Sequence, residues 1–203
     1  MRSLHLSVLS RDGGRNREYW RAPARVVLVG PWFRDRESIV LPVLDIARLR
    51  RHRPEVIAAP APVLRRLARA MLSDTGCVPV PELGLVALTG VFQPPLRPAD
   101  RDLLWTVFRI PVYQQFRAPD GTLLAWECEA HSGLHIETSR AVFTLCRRTG
   151  ELQLGFHCGG PFRPTGFDAR ITDESCGCGC DQPRLVELDV WRPAPAAALS
   201  ASA

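Results

Sequence analysis

The chain is 203 residues long, 46% hydrophobic and 23% charged, the balance of a globular domain that can bury a sizeable core. Its 26 lysine-plus-arginine residues are all arginine, which excludes a Schiff-base lysine, a P-loop lysine and a lysine holding an acyl phosphate. No window approaches the ~18 apolar residues of a membrane helix, and the arginines behind the +5 net charge are scattered, so neither a membrane nor a nucleic acid is expected as partner.

Residues 1–20 are polar and arginine-rich and read as a mobile leader, without the apolar stretch of a secretory signal. Arg25 to Gly30 is a short apolar run closed by glycine, a buried strand. Apolar residues at helical spacing predict a helix from Ser38 to Arg51, with Pro42 tolerated in its first turn. A strand over Val56–Ala59, a helix over Pro60–Leu72, a strand over Leu85–Gly90 and a helix over Pro98–Phe108 follow. Such alternation implies parallel pairing with crossover helices. Beyond residue 110 the texture changes. Leu123–Glu129, Leu134–Glu137, Ala141–Cys146 and Gly150–Phe156 read as strands between glycine or polar breaks. The last residues, 193–203, are of low complexity and read as a disordered tail. The expected fold class is α/β: a parallel strand–helix layer over 21–115, then a β-rich half over 116–192.

Several segments, in order, resemble the adenylate-forming (AMP-binding) enzymes, in particular the phenylacetate–coenzyme A ligase branch and its capsule-biosynthesis relatives. They are Leu49 to Met71, Leu88-Thr89-Gly90, Ile110 to Tyr113, and above all Ala125-Trp126-Glu127-Cys128 with Gly133-Leu134-His135-Ile136. Cys176-Gly177-Cys178-Gly179 with Pro183-Arg184 is similar to a later block of the same family. The resemblance covers roughly residues 40 to 186 and implies a partial, truncated adenylation-type domain. The family's phosphate loop and the domain bearing its catalytic lysine have no counterpart here. Its Tyr-Gly-x-Thr-Glu motif falls on Phe116 to Asp120, keeping an aromatic and an acid. Its ribose-binding motif falls loosely on Arg163 to Asp168. The resemblance therefore implies Asp120 for Mg²⁺ and Asp168 for the ribose of ATP or AMP, a carboxylic acid as ligand, and a partner protein completing the fold. Without cradle or lysine the chain by itself is expected to fall short of adenylation. Both aspartates also have a plainer reading. Ala118-Pro119-Asp120-Gly121 is a turn signature, and Asp168 near Gly166 can cap its own loop.

Seven cysteines without a signal peptide point to a reducing compartment, the cytoplasm, where clustered cysteines signal metal or catalysis. Cys128, His135, Cys176 and Cys178 supply three thiolates and one imidazole, the set that structural Zn²⁺ takes. A strand and its return bring Cys128 to His135, and glycines 177 and 179 permit a tight knuckle. Relatives carrying these blocks use them for zinc, so the resemblance places the metal on those four positions. Cys180, His131, Cys158 and His157 stand as other ligands, and reduced thiols in a core stand as the metal-free reading. The Cys-Gly-Cys-Gly-Cys run lacks the Cys-x-x-Cys spacing of a redox site.

Overall fold

A computed structural model describes residues 25–30, 38–74, 78–91, 93–118, 120–157 and 159–192. The expected leader (1–20) and tail (193–203), with Cys77 and Cys158, lie outside the described residues. The first layer is built from β1 (Val26–Val29), β2 (Ile39–Leu41), α1 (Ile46–His52), β3 (Val56–Pro60), α2 (Ala61–Ser73), β4 (Gly84–Gly90), α3 (Pro98–Phe108) and β5 (Val112–Arg117). The five strands are parallel and lie in the order β5-β4-β3-β1-β2. The connections through α1, α2 and α3 all advance in one direction across the sheet, so right-handed crossovers place the three helices on one face. The core agrees: Leu49, Leu64, Leu67, Leu104 and Phe108 of the helices share one cluster with Val27, Ile57, Leu85 and Val112 of the strands. Each fully buried leucine contributes about 1.5–3 kcal/mol.

One helix departs from expectation. The Ser38–Arg51 segment is a strand followed by a shorter helix, because Ile39, Val40 and Leu41 pair with Val27, Leu28 and Val29 of β1. The β-branched pair suits that edge, and Pro42 follows it. Asp45 then starts α1 by accepting the Arg48 N–H at 3.0 Å. α1 and α3 both end at a left-handed arginine, Arg53 and Arg109, with a proline just beyond. Asp100, in the first turn of α3, accepts two hydrogen bonds from Arg65 of α2 and pins the helices together.

The remainder is antiparallel: β6 (Leu123–Glu127), β7 (Leu134–Ile136), β8 (Ala141–Leu145), β9 (Leu152–Phe156), β10 (Arg163–Pro164), β11 (Phe167–Thr172) and β12 (Arg184–Val190). Strands β6, β7, β12 and β11 extend the parallel layer into one nine-stranded sheet, while β8, β9 and β10 form a separate small sheet. Phe116 meets Phe143 and Phe167 edge-on, each at 5.5 Å, and joins the two sheets in a second core with Leu124, Leu152 and Leu185. No helix among the described residues is long and apolar enough to cross a membrane.

Candidate metal centre

The centre forms where β6 turns into β7 and where β11 returns as β12. Trp126 lies opposite His135, and their rings stack at 4.8 Å. Alternation along an extended strand puts Cys128, two residues after Trp126, on the same face. The connecting turn closes through His131 N–H to the Cys128 carbonyl, 3.1 Å. It depends on Gly133: its φ is +119°, and a Cβ there would meet the Leu185 carbonyl oxygen at 2.6 Å. From the other side, β12 pairs with β7 through Arg184↔His135 and Leu185↔Leu134. The loop before β12 thus passes beside His135. It is tightened by Gly179, in the left-handed region, whose N–H donates to the Cys176 carbonyl at 2.9 Å.

These elements bring the Cys128, Cys176 and Cys178 sulfurs and a His135 ring nitrogen within 4.8 Å of one another. Cys128 Sγ lies 3.5 Å from Cys176 Sγ, and Cys178 Sγ lies 3.4 Å from His135 Nε2. Metal bonds of about 2.3 Å to sulfur and 2.0 Å to nitrogen give tetrahedral edges of about 3.8 and 3.5 Å, so donor set and spacing fit a four-coordinate divalent ion. His135, Cys128 and Cys176 are buried, and Cys178 is the outermost. Burial pushes the Cys128 thiol up to about 12. Burial opposes ionisation of Cys176 too, but hydrogen bonds from the Cys178 backbone and the Ser132 hydroxyl outweigh it and hold that thiol down at about 7. Burial also raises Cys178, and neighbouring Cys176 adds to it.

The other candidate ligands among the described residues are placed elsewhere. His131 Nδ1 faces Glu127 at 3.0 Å and Arg101 at 3.2 Å, with its ring stacked on Tyr113 at 5.4 Å. Cys180 contacts Gln182, and His157 Nε2 lies 2.6 Å from the Thr138 carbonyl. Beside the cluster stands a network that sequence reading missed. Glu127 accepts two hydrogen bonds from Arg101 at 2.8 and 2.9 Å and one from the Gln114 backbone at 2.7 Å. Its sequence signals were an acid inside a predicted strand and its place in the Ala125 to Cys128 block, neither of which names Arg101 as partner.

Asp120 and Asp168 do not converge. Asp120 sits in the β5–β6 hairpin turn and accepts the Thr122 N–H at 2.9 Å. Asp168 lies on β11 opposite Asp189, and both aspartates are exposed. β12 starts beside His135 and runs away from the hairpin turn, so its partner Asp189 leaves Asp168 near the opposite end of the sheet.

No protein-family profile matches the chain. No curated protein matches it in sequence. Solved structures do match in fold. A 2-hydroxyisobutyryl-CoA ligase in complex with 2-HIB-AMP and CoA superposes with a TM-score of 0.62 at 13% identity, over 81% of this chain and 44% of that one. Coronafacic acid ligase from Pectobacterium brasiliense gives 0.52 at 12% identity, over 80% and 38%. The fold is thus that of part of the adenylate-forming acid ligases, and the chain spans less than half the length of these relatives.

Proposed function

We propose that the chain is a zinc-stabilised module of the adenylate-forming ligase fold, of the phenylacetate–coenzyme A ligase type, working in the cytoplasm. The observation that carries the zinc reading is the convergence of Cys128, His135, Cys176 and Cys178 within 4.8 Å. Zinc bound there would supply structure: four protein ligands close the coordination sphere and leave no position for a reacting water. The residues would tie the loop before β12 to the β6–β7 turn, two segments 48 residues apart at Cys128 and Cys176. Metal analysis of the purified protein should give about one zinc per chain. A metal-free protein of undiminished stability rejects the reading.

For catalysis, a partner chain would supply the phosphate loop and lysine, with a carboxylic acid, ATP and Mg²⁺ as ligands. The fold and the Glu127-Cys128 to His135-Ile136 block support this reading. Arginine does not stand in readily for a catalytic lysine, because a planar fork delivers charge differently from a compact ammonium. The chain alone should show no acid-dependent ATP–pyrophosphate exchange, and robust exchange would refute that. The distance between Asp120 and Asp168 favours a second reading, a non-catalytic binding or scaffold protein. Calorimetry with ATP and AMP separates the two, since the scaffold needs neither.

A further inference from the structure

Arg184 raises a charge problem. Its side chain is 5% exposed, and its guanidinium donates only to neutral oxygens: Nη1 to the Ser132 carbonyl and hydroxyl at 2.5 and 2.6 Å, Nη2 to the Glu174 carbonyl at 3.1 Å. Its Nε is buried without an acceptor among the described residues. Among the described residues no carboxylate forms an ion pair with it. A buried cation needs a compensating anion, since desolvating it unpaired costs several kcal/mol.

The Ser132 hydroxyl points to where that anion lies. A guanidinium can only donate, so the hydroxyl accepts from Arg184 and its single proton is free for another acceptor. That acceptor is Cys176 Sγ, 3.2 Å away. One hydroxyl therefore links a buried positive charge to a metal-cluster sulfur. A divalent ion with three thiolates and a neutral imidazole carries a net charge of −1, and Arg184 carries +1.

We infer that Arg184 and Ser132 form a charge-compensating clamp on the Cys128–His135–Cys176–Cys178 centre, positioning Cys176 and neutralising the loaded site. This rests on the zinc reading. Arg184 is a positioning residue: it acts on the metal through Ser132 and holds both loops by the same fork. The short reach and the three aligned acceptors suit arginine.

The test is zinc affinity of the full chain, measured by competition with a chromophoric chelator, beside the charge-transfer spectrum of the cobalt-substituted protein. Arg184→Met should weaken zinc about 10–100-fold, the range of partners one step out from a metal. Arg184→Lys should recover part of that loss, because it restores the charge but not the fork; a purely steric role would leave lysine as weak as methionine. Ser132→Ala removes one hydroxyl from an exposed residue and decides the matter should Arg184→Met fail to fold. It should weaken zinc about 10-fold, at the low end of such effects, and shift the thiolate-to-cobalt band. Wild-type affinity in folded Arg184→Met or in Ser132→Ala overturns the clamp while the zinc reading stands. A wild-type protein that takes up no zinc overturns both.

Discussion

The two halves of the nine-stranded sheet are held together by different means. Around β1 to β5 the helices bury an apolar stripe against parallel strands, and Leu49, Leu64, Leu67 and Leu104 are essentially inaccessible to water. Around β6, β7, β11 and β12 no helix among the described residues covers the face that carries the Cys/His cluster. There, three cysteines, a histidine and a buried arginine occupy positions that a hydrophobic cluster would otherwise fill. A half that can bury a helix face stabilises itself by area. On a face bordered by the long loops 128–133 and 173–183, cross-links between distant segments are needed, and the proposed metal would close such loops without lengthening the chain.

Removing the proposed zinc should therefore separate the halves. The Cys176→Ser, Cys178→Ser double variant, or a strong chelator, should lose zinc and hydrogen-exchange protection across β6, β7 and β12 while α2 and α3 stay protected. Uniform loss over both halves would show that they unfold as one unit. Leu64→Ala makes the opposite cut, costing about 2–5 kcal/mol in urea unfolding with zinc stoichiometry unchanged. Glu127→Gln attacks the joint, since Glu127 ties α3 to β6 through Arg101. It should cost about 1–3 kcal/mol, the worth of charged hydrogen bonds.

The smallest effect concerns Cys146, at the β8–β9 turn. Hydrogen bonds from the Thr149 side chain and the backbone of Arg148 and Thr149 lower its thiol below the ordinary value. Its thiolate thus persists to lower pH than that of a free cysteine. Alkylation followed by mass spectrometry should find Cys146 reacting at a pH where free cysteine is still largely unreactive. Equal profiles for the two would refute this.

Much of the first half was legible because its signals are local. Strands β1, β3 and β4 are apolar runs, and the spacing of Val63, Leu64, Leu67 and Ala68 marks α2 directly. The edge strand β2 was misread as helix because three residues carry too little periodicity to outweigh the helical pattern behind them. Strand β5 had no simple pattern at all. All six of its residues are buried, and Gln114, Gln115 and Arg117 are accommodated by pairing, Gln114 with Thr89 and Arg117 with Gln115. Strands β11 and β12 were hidden inside segments read for their motifs, although Phe167 and Ala169 already alternate with the exposed Asp168 and Arg170.

The four residues proposed as metal ligands could be named from residue type because three thiols and an imidazole in glycine-bounded segments share a chemistry. Their convergence could not. It depends on β12 inserting beside β7 rather than continuing the small sheet, a pairing between residues about fifty positions apart that no local pattern encodes. The same holds for the two aspartates, similar in sequence context yet sent to different ends of the sheet by strand direction. Arg184 is the clearest case. In the sequence it is one arginine among 26, set apart only by its place at the end of the Cys176 to Arg184 block, and burial with no carboxylate partner among the described residues turns it into a charge that the centre must answer. Composition and periodicity decide which residues leave water; the tertiary pairing decides which of them meet.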